Sequence, residues 1–390
     1  MARSFLPYAK QSIHEEDIQA VADSLKQELI TRGPLVQEFE HALSKYCEVP
    51  YTVAFSSGTA ALTAAYFAAR LSSFDRVIST PNTFIATIGS AISMGIRPFF
   101  CDIDLSTGNL DLAEIDNSLK FEATRGRSFI VPVHFSGLAV DMAQLSCQIF
   151  HPEAVVIEDA SHALGSHYPS GEKVGSCAYS DMTIFSFHPA KTLTTGEGGA
   201  VTTCDPEFYH RLQLFRNNGI ERGSPYLIKS EEPGYYEVHA ITGNFNFASF
   251  QAALGLSQLK RIEEMIFKRR KLVKHYRQHF SKIPQVKLLT DKQDDDSGFH
   301  LFVVQIDFEA CGTTRVKVMK TLSEKGIGTQ VHYIPLYHHP VLRCDIELEK
   351  EKYPHTERYY QQALSLPLYP DLTKEDVDYI CHQLISVLSL

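Results

Sequence analysis

Seven short runs rich in β-branched and other apolar residues recur between residues 51 and 203, and helical stretches separate most of them. Parallel strands need a long crossover connection, usually a helix, so this alternation predicts a mostly parallel sheet with helices on both faces. The predicted strands cover residues 51–55, 76–79, 98–102, 129–133, 154–158, 182–185 and 199–203. The chain therefore has the pattern of an α/β protein built on one large, seven-stranded sheet.

Helical patterns flank this sheet region on both sides. Apolar residues recur at helical spacing from residue 14 to about 46, and Arg32-Gly33-Pro34 interrupts them, which predicts two helices joined by a turn. The strongly charged stretch at 256–280 predicts one long, solvated helix that spans the space between two domains.

A second, smaller domain is predicted after the charged helix. Residues 300–307 and 329–333 have the pattern of strands, which suits a small α+β domain. With 390 residues, the chain is long enough for one large domain and one smaller domain. We expect a large domain with an N-terminal arm over residues 1–255, and a linking helix with the small domain over residues 256–390.

The charge and cysteine patterns exclude several functions. A net charge of -9 without a long basic run argues against strong affinity for nucleic acid or anionic lipid. No apolar run reaches the ~18 residues of a membrane span, and the N-terminus meets charge too early for a signal peptide. The eight cysteines include no C-x-x-C pair, so we expect reduced thiols, no metal site and a cytoplasmic location.

A strand at residues 51–55 leads through Ser56-Ser57-Gly58-Thr59 into an alanine-rich helix. Free amides at a helix start, beside a hydroxyl and a glycine that permits close approach, suit a bound phosphate. The same four residues also suit an ordinary serine N-cap with no ligand. By itself this segment does not decide between the two readings.

Asp159 directly follows the apolar strand at 154–158, and Lys191 follows the strand at 182–185 on a short loop rich in glycine. Ligands of open parallel sheets bind beyond the carboxyl ends of strands, so Asp159 is expected to face the site, whereas Glu158 points the other way. A lysine in a partly desolvated setting can form a Schiff base with an aldehyde cofactor. Pyridoxal 5′-phosphate (PLP) enzymes need such a lysine and an acid at the pyridinium nitrogen, and this pair supplies both.

Ten segments of the sequence occur in the order of a known family's signatures: TRGPLVQEFE, SSGTAAL, TPNTFIAT, DIDLSTGNLD, PVHFSGLAVDM, IEDASHALG, FSFHPAKTLTTGEGG, QAALGLSQL, HYIPLYHHP and LSLPLYPDLT. Through these segments the chain resembles the DegT/DnrJ/EryC1/StrS family of PLP-dependent sugar aminotransferases, over essentially its whole length. The resemblance implies the fold type I, aspartate aminotransferase-like architecture.

The resemblance also implies residue roles. Lys191 is the implied Schiff-base lysine and Asp159 its pyridinium partner, and both are the implied catalytic residues. The further implied PLP contacts are Gly58, Thr59 and Ser186 at the phosphate, Phe84 stacked on the ring, His162 near the phenolic oxygen, and Asn244 reaching the phosphate of the neighbouring subunit. The implied substrate contacts are Tyr8, Thr31, His188, His300, Leu301, Phe302, Val303 and His332. Asn244 implies a homodimer with shared active sites.

The expected reaction follows from the branch of the family that the chain is most similar to. That branch transfers an amino group, from glutamate by family resemblance, to C4 of a UDP-4-keto-6-deoxy-N-acetylhexosamine in pseudaminic acid synthesis. A dTDP- or GDP-linked keto-sugar, aminated at C3 or C4, stays open as an alternative. A PLP-dependent sugar dehydratase is disfavoured, because that branch of the family has histidine where this chain has Lys191.

Two positions depart from the family pattern and keep other readings open. Asn246 stands where the family usually has arginine, and Asn218 where histidine is common. These changes put the identity of the sugar or donor in doubt and leave open a regulatory protein that binds PLP or a sugar without catalysis. An ordinary amino-acid aminotransferase, which needs an arginine for a second carboxylate, also stays open.

Overall fold

A computed structural model of the chain describes residues 4–96, 98–115, 126–149, 153–223, 225–229, 232–343 and 350–389. The described residues form a seven-stranded sheet, a three-stranded sheet and a two-stranded ribbon. None of the described helices is both long and apolar enough to cross a bilayer. The seven cysteines within the described ranges are free thiols, and Cys344 lies outside those ranges.

The large sheet confirms the α/β expectation. Its spatial order is β1-β7-β6-β5-β4-β2-β3, and every strand except β7 runs in the same direction. β7 is antiparallel to both of its neighbours, β1 and β6. The strands are β1 Tyr51–Phe55, β2 Arg76–Ser79, β3 Pro98–Phe100, β4 Ser128–Ile130, β5 Val155–Asp159, β6 Met182–Ser186 and β7 Gly199–Thr203.

Helices cover both faces of this sheet. Pro34 begins the second helix, where its missing amide costs no hydrogen bond, and Ser57 caps the third by accepting from the Ala60 amide. The third helix is alanine-rich and almost wholly buried against the sheet. The helices are α1 Glu15–Ser24, α2 Pro34–Cys47, α3 Gly58–Ala68, α4 Ala86–Ser93, α5 Met142–Gln148, α6 Pro206–Arg216 and α7 Ser249–Leu259.

The charged stretch at 256–280 differs from its prediction in two ways. It is not one helix, because α7 ends at Leu259 and a separate helix, α8 (Ile262–Phe280), follows. Nor is it solvated throughout, since one stripe is apolar and Arg269 is only 1% exposed. The Arg269 guanidinium donates to the carbonyl oxygens of Phe299 and Leu368, which compensates for its burial.

The small sheet is antiparallel, with β11 between β10 and β12. Residues 329–333, predicted as a strand, form none and make only an isolated bridge from Gln330 to Ser365. The remaining elements are β8 Ile220–Glu221, β9 Glu237–Val238, β10 Val286–Leu288, β11 Phe302–Ile306, β12 Ala363–Leu366, α9 Arg315–Glu324, α10 Pro340–Arg343, α11 Pro354–Gln362, α12 Lys374–Val387, and 3₁₀ turns at Phe135–Gly137, Leu336–His338 and Lys350–Lys352.

The packing bears on the proposed division at residues 255 and 256. One apolar core lies against the large sheet, and another forms between the small sheet, α9, α12 and the second half of α8. Two segments cross this division: Leu6 packs in the small-domain core, and Ile262 with Ile266 packs in the large-domain core. The boundary therefore stays a proposal, with α8 shared between the two cores.

Candidate active site

A cavity of about 930 Å³ opens beyond the carboxyl ends of β5 and β6. Its floor comes from the large sheet and from the start of α3, and its other wall comes from the segment that precedes α10. In open parallel sheets ligands bind in such a position. The residues that carry the predicted chemistry, Asp159 and Lys191, line this same cavity.

Asp159 is the last residue of β5 and is held by two hydrogen bonds. Its Oδ2 accepts from the Thr87 hydroxyl at 2.7 Å, and its Oδ1 accepts from the Ser161 amide at 3.1 Å. The side chain is 5% exposed and faces the cavity. Its neighbour Glu158 does not line the cavity, because side chains alternate along a strand.

Lys191 lies on the loop that follows β6. Within the described ranges no residue accepts a hydrogen bond from its amine or pairs with it as an ion pair. Burial lowers the pKa of Lys191 to about 8, and the charge of Asp159 opposes that shift. At pH 7 roughly a tenth of the amine is therefore uncharged and nucleophilic, far more than for an ordinary lysine with a pKa near 10.4.

The start of α3 and the end of β6 form a cradle for an anion. The Ala60 amide donates to the Ser57 hydroxyl oxygen, and the Ala61 amide donates to the Ser57 carbonyl oxygen. The amides of Gly58 and Thr59, at the very start of the helix, have no acceptor within the helix. Gly58 allows the two elements to meet, because a Cβ there would lie 2.9 Å from the Cβ of Ser186. The Ser186 hydroxyl thus lies beside the free helix amides, which is the arrangement that holds a phosphate.

Three imidazoles and a phenol, those of His162, His300, His332 and Tyr333, line the cavity together. His162 Nε2 lies 2.9 Å from the Tyr333 hydroxyl, and the rings of His162 and His300 are 4.4 Å apart. Burial, and then the charge of Lys191, lower the pKa of all three imidazoles, that of His332 to about 3. These side chains are therefore neutral hydrogen-bonding groups. The Nδ1 atom of His300 is buried and has no hydrogen-bond partner within the part of the chain that the structure describes.

These features fit PLP. The cradle of Gly58, Thr59 and Ser186 suits its phosphate, the unpaired Lys191 amine suits its aldehyde, and the Asp159 carboxylate suits its ring nitrogen. Phe84 is 58% exposed and lines the cavity, as a ring that stacks on a flat cofactor must. The residues present thus match the cofactor group by group.

Comparison with known proteins agrees with this geometry. The DegT/DnrJ/EryC1/StrS aminotransferase family matches residues 11–385, and the chain belongs to that family. It is accordingly a PLP-dependent sugar aminotransferase of fold type I.

Several relatives match over nearly their whole length. The chain is 36% identical to the Bacillus subtilis spore coat polysaccharide biosynthesis protein SpsC, over 96% of this chain and 95% of that one. It is 33% identical to the Campylobacter jejuni UDP-4-amino-4,6-dideoxy-N-acetyl-beta-L-altrosamine transaminase, over 98% and 97%. Among solved structures, Helicobacter pylori PseC, an aminotransferase of pseudoaminic acid biosynthesis, gives a TM-score of 0.89 at 28% identity, with 99% and 100% of the chains covered. The PLP form of the Streptococcus pneumoniae putative sugar aminotransferase Spr1654 gives 0.88 at 26%, with 99% of each covered.

Most of the predicted site residues lie together in the cavity wall. Those that line it are Tyr8, Gly58, Thr59, Phe84, Asp159, His162, Ser186, His188, Lys191, His300 and His332. Thr31 and Asn244 do not line it; both are exposed, and their backbones bridge to Ala248 and Asn217. They lie on a surface that faces outward from this chain.

Leu301, Phe302 and Val303, which were predicted as substrate contacts, lie outside the cavity of this chain. None of them lines the cavity, and all are at most 4% exposed. Phe302 stacks on Tyr276 at 4.5 Å between ring centroids, in the core of the small domain. Only His300, at the start of the segment, lies in the cavity, because β11 carries the residues after it into the core.

Sequence reasoning missed several residues of the wall. Tyr333 follows the predicted His332 directly and bonds to His162, yet its role depends on a contact 171 positions away in the chain. Thr87 hydrogen-bonds to Asp159 across 72 positions. A motif search has no local signal for either contact. The other cavity residues that were not predicted include Ser57, Thr83, Ser161, Glu197, Gln330 and His339.

Both departures from the family pattern have local structural roles. Asn246 donates from its side-chain nitrogen to Asn244 Oδ1 at 2.7 Å, so it fixes the orientation of that amide. Asn218 has φ +57, a left-handed conformation that asparagine adopts more readily than most residues. Each asparagine therefore shapes the outward surface that carries Asn244.

Proposed function

We propose that this sugar aminotransferase transfers an amino group from glutamate to C4 of a UDP-4-keto-6-deoxy-N-acetylhexosamine, for a pseudaminic-acid-type or related surface sugar. The observation that carries the proposal is one cavity of about 930 Å³ that both Lys191 and Asp159 line. That volume is near the upper end of small-ligand sites, so it leaves room for a nucleotide-linked sugar beside the cofactor. The relatives that are named for such sugars support the same substrate class.

Lys191 is proposed to hold the cofactor and to move protons. When bound, PLP supplies an aldehyde that accepts the amino group and a ring that takes up the electron pair left by the departing proton. The Lys191 amine, with a pKa near 8, can accept a proton from a substrate carbon and return it, since its pKa lies near working pH. Burial therefore suits Lys191 to both tasks.

Asp159 is proposed to hold the pyridine nitrogen in its protonated state. The hydrogen bonds from the Thr87 hydroxyl and the Ser161 amide fix the orientation of the carboxylate. Such fixed groups stabilise charge without having to reorganise during the reaction. Thr87 and Ser161 act through Asp159, so they are positioning residues.

The uncharged side chains of His162, His300, His332 and Tyr333 are proposed to receive the sugar ketone and the cofactor's phenolic oxygen. His162 is held by Tyr333, and the His300 Nδ1 atom lacks a partner in the described chain. Neutral imidazoles donate or accept according to tautomer, which allows them to orient a ketone oxygen without adding charge beside Lys191. His188, His332 and Tyr8 remain proposed substrate contacts.

A second copy of the chain is proposed to complete each site. Lys191 is the one lysine or arginine that lines the cavity within the described ranges, yet a phosphate, a diphosphate and the donor carboxylates all need cations or donors. Asn244 lies on the outward surface, in a segment that also exposes Ile228, Val238 and Ile241. Exposed apolar side chains on the Asn244 segment support a homodimer with shared sites.

The substrate is tested with a panel of keto-sugars. Purified enzyme, PLP and glutamate are mixed with UDP- and dTDP-linked 4-keto-6-deoxy sugars, with and without the N-acetyl group, and with a 3-keto analogue. We expect mass spectrometry to find the amine on the UDP-4-keto-N-acetyl sugar first, with kcat/KM highest for that substrate. A higher kcat/KM for a dTDP-linked or 3-keto sugar would replace this proposal with the alternative substrate.

Shared sites are tested by mixing two inactive chains. Lys191→Ala disables the lysine of one chain and Asn244→Asp the cradle that it offers to its partner. If sites are shared, a mixed dimer regains one intact site, so re-equilibrated mixtures should reach about a quarter of wild-type activity. Recovery no greater than that of either parent variant shows that each chain holds its own site.

The cytoplasm stays the predicted location of the protein.

A further inference from the structure

Two histidines and an aspartate converge on the surface of the small domain, outside the cavity. His275 Nε2 and His279 Nε2 each lie 2.7 Å from the same oxygen, Asp378 Oδ1. The ligand atoms of the three residues lie within 4.8 Å of one another. None of the three lines the active-site cavity, and the proposed reaction uses none of them.

The backbone that carries the three side chains is held by packing. His275 and His279 are one helical turn apart on α8, so they lie on one face of that helix. Asp378 lies on α12, which packs against α8 through a shared core that includes Tyr276, Phe280 and Ile380. The positions of the donors are therefore largely set before any ion arrives, which reduces the entropy that binding must offset.

The donor set matches a borderline transition metal better than a hard cation. Two imidazole nitrogens and one carboxylate oxygen are ligands that Zn²⁺ takes, whereas Mg²⁺ and Ca²⁺ prefer oxygen alone. Around tetrahedral Zn²⁺, with bonds of about 2.0–2.2 Å, neighbouring ligand atoms lie roughly 3.4 Å apart. Each Nε2–Oδ1 distance must therefore lengthen by about 0.7 Å, and the two Nε2 atoms, which lie within 4.8 Å of each other, must settle at a similar spacing. Each imidazole then carries its proton on Nδ1 and turns its Nε2 lone pair toward the ion.

We propose that His275, His279 and Asp378 bind one divalent transition-metal ion of the zinc class, with a fourth position left to water. The side chains are 20%, 32% and 51% exposed, so an ion and its water can reach them from solvent. The ion joins α8 to α12 and stabilises the small domain, since it binds the folded arrangement and not separated helices. Its site is distinct from the PLP cavity in position and in ligand chemistry.

Metal binding to the PLP-loaded enzyme tests the proposal. Protein freed of metal by chelator is titrated with Zn²⁺ by calorimetry, and with Co²⁺ while its visible d–d bands are recorded. We expect the wild type to bind one more ion per chain than His275→Ala/His279→Ala, with the tetrahedral Co²⁺ bands absent from that variant. Zn²⁺ should raise the Tm of the wild type and leave that of the double variant unchanged.

Single variants separate ligand loss from misfolding. His279→Gln keeps a side chain that can donate a hydrogen bond to Asp378 but is a poor zinc ligand. Mutation of a residue that only hydrogen-bonds to a metal ligand already costs about 10–100-fold in metal affinity, so loss of a ligand itself should cost at least as much. We therefore expect at least about tenfold weaker binding in His279→Gln and in Asp378→Asn. The surface variant His41→Ala, on α2, should bind like the wild type. Equal ion number and affinity in the wild type and the double variant would overturn the proposal, because exposed thiols such as Cys147 and Cys204 remain in both.

Discussion

Glu158 and Asp159 are adjacent on β5 but differ in every respect that matters for function. Glu158 points away from the cavity and accepts from Thr183 at 3.0 Å, from Tyr168 at 2.8 Å, and from His134 and Ser180. Asp159 points into the cavity, and among the described residues its carboxylate accepts only from Thr87 and Ser161. One strand therefore presents a saturated carboxylate on one face and a carboxylate with free acceptor capacity on the other.

The difference shows how one sheet separates stability from chemistry. Burial by itself would raise the pKa of Glu158, but the hydrogen bond and charge of His134, with hydrogen bonds from Ser180 and Tyr168, outweigh it and lower that pKa. On the cavity face, burial instead lowers the pKa of Lys191 to about 8, so the folded protein holds a charged amine less favourably than water does. We expect the side chains on the Glu158 face of the sheet to stabilise the fold. Those on the Asp159 face, which include the reactive Lys191 amine, should reduce its stability.

Removing the amine from the cavity face should have the largest effect. Lys191→Ala deletes both the anchor of the cofactor and the proton carrier, and general acid–base catalysis alone contributes about 10²–10⁴-fold. We expect turnover to fall by at least about 10⁴-fold and the visible absorbance of the lysine-bound cofactor to vanish. The control is Lys26→Ala, whose lysine is 73% exposed in the turn that follows α1. Normal turnover by Lys191→Ala would remove that residue from its proposed role.

Neutralising Asp159 is the second largest change. Asp159→Asn keeps the shape and the hydrogen-bonding reach of the side chain but removes its charge, and the loss of one fixed electrostatic group costs about 10²–10³-fold in kcat. We expect the variant to bind PLP, with kcat reduced by that factor and stability close to wild type. Steady-state kinetics and cofactor titration measure both quantities. Unchanged kcat would refute the pyridinium role.

Neutralising the neighbouring acid, Glu158, should reduce the stability of the fold and leave kcat unchanged. Glu158→Gln replaces one acceptor oxygen with an NH2 group, so some of the buried donors lose their acceptor and face another donor. We expect this to cost about 2–4 kcal/mol in the free energy of unfolding, while kcat per folded molecule stays near wild type. Because the folded pKa of Glu158 is lowered, its stabilisation is present above the unfolded pKa of about 4.3 and is lost as pH falls through the folded value. Urea denaturation between pH 7 and pH 3 measures this. A large fall in kcat without a fall in stability would erase the distinction between the two faces.

The smallest expected effect is a gain in the stability of the apo protein when the Lys191 amine is removed from the cavity. Lys191→Met removes a buried amine whose folded pKa, about 8, lies below its unfolded value near 10.4, so the charged amine disfavours folding at pH 7. We expect the apo variant to be more stable than apo wild type by about 1–3 kcal/mol at pH 7. The gain should be full below pH 8 and should disappear as pH rises through about 10.4. Denaturation of both apo proteins at pH 7 and pH 10 gives the difference, and an equal stability at pH 7 would contradict it.

The sequence predicted the parts of the site that lie on strand ends. Asp159 and Lys191 follow apolar runs that were recognisable as strands, and parallel strands bring their carboxyl ends to one edge. Gly58 and Thr59 were predicted for the same reason, since they begin a helix directly after β1. Periodicity within ten or fifteen residues carries this information, so no tertiary contact was needed to find it.

The wrong secondary-structure predictions arose where the conformation of a segment depends on contacts with residues far away in the sequence. Residues 256–280 read as one exposed helix because their charges are frequent, yet Arg269 is buried against carbonyls of Phe299 and Leu368. Residues 329–333 read as a strand, but they form a loop that delivers His332 and Tyr333 to the cavity. Burial depends on which segment packs against which, and the pattern of one segment does not contain that information.

By itself, the amino-acid sequence determined the α/β class, the approximate strand positions of the large sheet and the pair of Lys191 and Asp159, because the alternation of apolar residues and turn residues is a local pattern. Only the tertiary structure decided that Glu158 is satisfied by four side chains, that Tyr333 holds His162, and that His275, His279 and Asp378 meet at one oxygen. These contacts join residues 10 to 171 positions apart. Distances of that kind are fixed by the packing of whole elements, and packing depends on all of the chain at once.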